Sequence, residues 1–73
     1  MPTIPKHRKL LGEKVRIRRK QAKLTQERLA ELADLHTNYI GEVERGEKTI
    51  SVDALLRIAK GVGVRVSDLV DGF

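Results

Sequence analysis

Apolar residues recur along this chain at intervals of three and four, the spacing of a buried helix face. Leu11 and Val15 lie one turn apart in a first helix expected from about Arg8 to Ala22, which turns Arg16, Arg19 and Lys20 to solvent. Ile17 and Arg18 depart from a strict stripe, so the Arg18 stem is expected along the core edge with its charge in water. Leu29, Leu32 and Ala33 supply the buried face of a second helix. Thr25 caps it, and Arg28 at the third helical position leaves the reciprocal capping box incomplete. Ala30 is small at the point where another helix must cross closely. A third helix runs from about Thr37 to Glu44 with Ile40 and Val43 inward, leaves Thr37, Asn38, Gly41 and Glu42 outward, and ends at Gly46. Ser51 caps a fourth helix, whose apolar residues Leu55, Leu56, Ile58, Ala59 and Val62 make a face broad enough for more than one neighbour, and Gly61 or Gly63 ends it. Ser67 and Asp68 open a last helical turn carrying Leu69 and Val70, with Phe73 at the terminus. These apolar residues are either the final piece of core or a contact with a second copy of the chain.

The second and third helices are joined by only Asp34, Leu35 and His36. A helix ending there needs a left-handed residue, usually Gly, and Asp is among the few others that tolerate the conformation at modest strain. Leu35 then plugs the core. Two short helices around a tight turn, the second opening on small polar side chains, form a helix-turn-helix, which sets the leading residues of its second helix against base edges in a DNA major groove. Sequence-specific DNA binding is the function this pattern predicts.

Seventy-three residues hold one domain with a small core. Residues 1–7, with Pro2 and Pro5 and no apolar period, are expected to form a flexible basic arm, and residues 8–73 the domain. No cysteine is present, so neither a disulfide framework nor a thiolate metal site is available. His7 and His36 have no partner at ligand spacing, and neither metal nor cofactor is expected. No apolar run approaches the length of a membrane span, and the N-terminal residues lack the apolar centre of a signal peptide, which predicts a soluble, cytoplasmic protein. Nothing pairs a nucleophile with a base and no glycine-rich phosphate loop occurs, so an enzyme is not expected. The net charge of +5 is uneven. Up to Lys23, nine basic residues stand against Glu13 alone; from Leu24 onward six basic residues face nine acidic ones. A basic third on a mildly acidic remainder offers one face to a polyanion and another to something else.

The segment LTQERLAELADLHTNYIGEVERGEKTISVDALLRIAKGVGV resembles the Xre/Cro group of phage-repressor-type regulators. The marks are Thr25-Gln26, Leu29-Ala30, Leu35, Tyr39-Ile40, Glu44-Arg45-Gly46 and Leu55 to Val64, and the resemblance spans about Leu11 to Val70. It departs from the pattern at Lys23 and Asp34, where that group often has Gly. The stretch LHTNYIGEVERGEKTIS is similar to the small stand-alone regulators, among them the controller proteins of restriction-modification systems. The resemblance implies an all-α, five-helix, lambda-repressor-like domain that regulates transcription.

Set beside that resemblance, Thr37 and Asn38 fall where the recognition helix meets bases: Asn pairs bidentately with adenine, and the Thr methyl touches the thymine methyl. Glu42, one turn on, accepts from a cytosine amino group or instead forms a salt bridge with Arg45 or Arg16. Gln26 is expected to bond a phosphate and brace the recognition helix, and Tyr39 to pack at the helix edge with its hydroxyl on a phosphate. Arg45, Lys48, Arg19 and Arg16 suit backbone clamping, Arg16 least. One recognition helix spans too few base pairs for a unique site, so a homodimer through the fourth helix and the C-terminal segment (Leu69, Val70, Phe73) on a near-palindromic operator is implied. The alternatives are a helix-turn-helix antitoxin and a protein adaptor, whose main partner is another protein.

Overall fold

The computed structural model describes residues 3–72. Five helices follow one another: α1 Lys6–Gln21, α2 Gln26–Ala33, α3 Thr37–Glu44, α4 Val52–Val62 and α5 Val66–Val70. The described residues contain no strand, and none of their helices is long and apolar enough to cross a membrane. The expected helices are all present. α1 begins two residues early because the Pro5 carbonyl accepts from the backbone N–H groups of Arg8 and Lys9, so Lys6 and His7 of the expected arm are helical. Thr25 and Ser51 cap as anticipated, accepting from the amides of Arg28 and Ala54 at 3.0 and 3.1 Å. In α5 the Asp68 carboxylate accepts from the backbone N–H of Arg65.

Helices α1 to α4 end in one device. The residue after the last turn is left-handed: Lys23 (φ 59°), Asp34 (φ 56°), Gly46 (φ 76°) and Gly63 (φ 76°). Its N–H and that of the next residue fold back onto orphan carbonyls, as in Leu24 N to Arg19 O, Leu35 N to Ala30 O, Glu47 N to Glu42 O and Val64 N to Ala59 O. The residue following the left-handed position is an apolar plug in three cases, Leu24, Leu35 and Val64, each packed on the core. At the end of α3 it is Glu47.

The core is Leu11, Val15, Leu29, Ala30, Ala33, Ile40, Val43, Ile58, Ala59, Val62 and Leu69. α3 lies between α1 and α2, α2 also packs on α4, and α5 closes the base against α1 and α4. Gly12 permits the tightest crossing: a Cβ there would strike the carbonyl oxygen of Val43 and come within 2.7 Å of that of Glu44. α1 therefore crosses α3 with backbone nearly on backbone.

Four expectations are corrected. Leu32 does not join the buried face of α2 but is 48% exposed, lining an open surface depression with Arg57, Lys60 and Gly61 of α4. Gly41 does not face outward; it is buried beneath the side chains of Arg45 and Gln26. Leu69 is fully buried in its own domain, so it is core and cannot serve as a contact with a second copy. Val70 is half-buried, and Phe73 lies outside the described residues. The fourth correction concerns Arg19.

Candidate nucleic-acid interface

The expected solvent exposure of Arg19 is wrong, and with it the expectation that this residue clamps a DNA backbone. Arg19 is buried and its guanidinium is fully engaged: Nε donates to Glu44 Oε2 at 2.6 Å, Nη2 to Glu44 Oε1 at 3.1 Å, and Nη1 to the Leu24 carbonyl at 2.8 Å. Glu44 closes α3, where a carboxylate opposes the helix dipole and is unfavourable unless paired. The bidentate arginine supplies that pairing in a site nearly closed to water. A strict solvent-facing reading of the α1 periodicity could not find it, because the signal is long-range.

Gln26 completes the cluster. Its Nε2 donates to Glu44 Oε1 at 3.0 Å, so the first residue of α2 is tied to the last residue of α3. A carboxylate accepts only, which fixes the amide with nitrogen inward and oxygen toward Gly41. Three helices are thus joined through one carboxylate, which holds the second helix of the motif at a set angle to the first.

The exposed side chains of α3 stand on this frame. Thr37, Asn38 and Glu42 form a ridge between two shallow depressions. One, of about 260 Å³, is bounded by Gln26, Gly41 and Arg45; the other is bounded by His36, Tyr39 and Lys48. Thr37 and Asn38 are exposed, and Glu42 is partly covered. Tyr39 is half-buried, its ring packed on the core at the edge of the ridge. Arg16 is exposed on α1 and lines neither depression.

Glu42 pairs neither with Arg45 nor with Arg16, as the spacing suggested, but with Lys48 at 3.9 Å. The reversal of chain direction at Gly46 accounts for this. It returns Lys48 alongside Glu42 and sets Glu47 against Arg45, whose Nε and Nη2 donate to the two Glu47 oxygens at 2.9 and 3.1 Å. These bonds raise the Arg45 pKa and hold the Glu47 carboxyl below the ordinary range. Glu47 was absent from the expected site, and only its place after a left-handed glycine signals it.

Comparison with known proteins agrees with this geometry. A family model described as helix-turn-helix matches residues 15–69. Control protein C.BamHI of Bacillus amyloliquefaciens is 45% identical over 65 residues, covering 88% of this chain and 80% of that protein. Control protein C.SmaI of Serratia marcescens is 40% identical over 63 residues, covering 86% and 75%. Among solved structures, the restriction-modification controller protein C.AhdI from Aeromonas hydrophila superposes with a TM-score of 0.83 at 32% identity, covering 85% of this chain and 94% of its own. The P22 c2 repressor in complex with a synthetic operator gives 0.80 at 30% identity, covering 88% and 97%. The chain belongs to the helix-turn-helix family of DNA-binding transcriptional regulators, with an all-α, five-helix, lambda-repressor-like fold.

Proposed function

We propose that this chain acts in the cytoplasm as a homodimeric regulator that reads a near-palindromic operator and has no catalytic task. The ridge of Thr37, Asn38 and Glu42 carries the proposal. It is the accessible polar edge of a helix whose other faces are locked into the domain by Ile40, Val43 and the Glu44 cluster. In this reading Asn38 pairs with adenine, the Thr37 methyl meets a thymine methyl, and Glu42 accepts from a cytosine amino group once Lys48 turns to a phosphate. Tyr39, Arg45 and Lys48 flank the ridge and meet the DNA backbone, Gln26 adds a phosphate contact through the N–H of its amide not given to Glu44, and Arg16 is an outlying contact. Dimerisation is supported by α4, where Val52 is 72% and Leu56 52% exposed on one helical edge. Such a pair sets two recognition helices about one DNA turn, roughly 34 Å, apart. Bound over a promoter it excludes polymerase, and bound just upstream it recruits it.

Selection of bound duplexes from a random pool tests this. The expected product is an inverted repeat with half-sites about one turn apart. On that operator Asn38→Ala costs about 1–3 kcal/mol at one base position, whereas Arg45→Ala weakens every sequence and flattens the salt dependence. Recovery of no consensus would overturn the proposal and turn the search to a protein partner, as for an antitoxin or an adaptor.

A further inference from the structure

Resting on the reading that Arg45 grips the DNA backbone, we infer that Glu47 is an intramolecular competitor of DNA phosphate for Arg45, and that it sets how tightly and how salt-dependently the protein holds DNA. Two observations meet here. The Arg45 guanidinium presents its Nε–Nη2 edge to Glu47 in the two-bond geometry a phosphate would use. The two N–H groups of Nη1 and the second N–H of Nη2 are left over, and Nη1 lies against Gly41 at the rim of the depression beside the recognition ridge. A phosphate arriving at Arg45 therefore meets only the Nη end of a guanidinium already neutralised by a carboxylate, and reaches the Nε–Nη2 edge only by displacing Glu47.

The main-chain position of Glu47 beside Arg45 is set by the reversal. Its N–H is held by the Glu42 carbonyl at 2.9 Å in the reversal that ends α3. At the equivalent point after α1, α2 and α4 the chain carries Leu24, Leu35 and Val64, all turned into the core. Here alone among the four the plug is replaced by a charged side chain. Gly46, which allows the reversal, is itself packed on Ile4 and on the backbone of Lys9, so the loop cannot swing away easily. Both partners remain open to solvent, with side chains 59% and 45% exposed, so exchange of the carboxylate for a phosphate requires no unfolding.

The competition has a definite sign. Each protomer gives up one exposed ion pair when phosphate takes the Nε–Nη2 edge of Arg45, which lowers affinity by about two- to fivefold. It also returns a negative charge to the vicinity of the backbone, reducing the effective number of phosphates neutralised and hence the salt slope. For a regulator controlled by its own concentration, Glu47 raises the level at which DNA becomes occupied.

The test is a two-by-two set, wild type, Glu47→Gln, Arg45→Ala and the double variant, titrated against a random-sequence duplex from about 50 to 200 mM salt. The expected result is that Glu47→Gln tightens binding about two- to fivefold at low salt and steepens the slope of log affinity against log salt by up to about one unit. In the Arg45→Ala background the same substitution should give less than half that gain. An equal gain in both backgrounds would mean that Glu47 merely repels DNA at a distance, and overturns the proposal. If Arg45→Ala weakens binding but Glu47→Gln changes nothing, the competition does not exist. If Arg45→Ala itself leaves affinity and slope unaltered, the reading of Arg45 as a backbone contact fails first.

Discussion

Replacing Glu44 by Gln removes one charge and almost no volume from the most enclosed polar cluster of the domain. The Glu44 side chain is 3% exposed and that of Arg19 11%, so water can do little to compensate. The two carboxylate oxygens accept three hydrogen bonds, from Arg19 Nε, Arg19 Nη2 and Gln26 Nε2. An amide offers one oxygen and one NH2 group. Whichever way it turns, nitrogen faces nitrogen on one side, and at least one charge-assisted bond of about 1.5–3 kcal/mol is lost. The guanidinium also loses its counter-charge, and deleting one member of a buried pair costs about 3–5 kcal/mol. Arg19 keeps the Leu24 carbonyl at 2.8 Å and a narrow opening to solvent, which puts the expected loss at the lower end, about 3 kcal/mol. A chain of 73 residues has about 4–11 kcal/mol in all, so the urea midpoint should fall by roughly a quarter to three quarters.

The assay is urea unfolding followed by helical circular dichroism for Glu44→Gln, Arg19→Met and the double variant. Arg19→Met strands a carboxylate, but the double variant strands no charge, so its loss should fall short of the sum of the single losses by more than about 1 kcal/mol. A loss under about 1 kcal/mol for Glu44→Gln, or strict additivity, would show the pair to be energetically equivalent to a solvated surface bridge. The cluster would then not be what sets α3 against α1 and α2.

Three further outcomes are expected. Gly12→Ala drives a methyl into the carbonyl oxygens of Val43 and Glu44, which are backbone and cannot rotate aside, so thermal unfolding should show a loss near 3 kcal/mol, the upper end of ordinary overpacking. Lys23→Gly relieves a side chain at φ 59° worth about 1–2 kcal/mol and loses part of that to unfolded-state entropy, leaving a gain of about 0.5–1 kcal/mol by the same measurement. Because Arg45 depresses the Glu47 pKa, that pair persists above the lowered value and is lost only as pH falls through it. The affinity gain of Glu47→Gln should therefore be constant from about pH 8 to 6, and a gain that shrinks within that range, followed in the same DNA titration, would contradict the pairing.

The helices and most of the core were legible because they rest on local signals. Leu11 with Val15, Leu29 with Ala33, and Ile40 with Val43 repeat at helical spacing, and Thr25 and Ser51 are caps that act within one turn. The strained turn at Asp34 was legible for the same reason. Arg19 was not: from periodicity alone an arginine beside a core stripe belongs outside, and its partner lies 25 residues away. Leu32 failed in the opposite direction, since the helix period places it near the buried arc but cannot say how wide the neighbouring helix is. Gly12 and Gly41 carry no pattern at all. Their roles exist only where another helix or a guanidinium arrives, as at the α1–α3 crossing. Among the candidate contacts, Thr37 and Asn38 needed only their place at the start of α3, whereas the pairing of Glu42, Arg45, Glu47 and Lys48 depended on how the chain reverses at Gly46.

That reversal explains an otherwise awkward charge distribution. Glu42, Glu44 and Glu47 crowd the C-terminal end of α3, where the helix dipole is already negative and where DNA phosphates would pass. Three carboxylates at that place oppose both helix stability and binding unless each is neutralised. Each has a cation of its own: Glu44 has Arg19 from α1, Glu42 has Lys48 and Glu47 has Arg45. The three pairs differ in one respect that decides their use. The first is closed to water and joined to Gln26, so it can only hold the helices together. The other two are open to solvent and contain the cations proposed to meet phosphate, so in that reading they trade a carboxylate for DNA. The recognition helix is thus fixed in angle by a permanent pair at its last residue and adjustable in charge by two exchangeable pairs around it. Rigidity and affinity are for that reason separable by mutation: Glu44→Gln should shift unfolding and DNA binding together, whereas Glu47→Gln should move DNA binding and leave the urea midpoint unchanged.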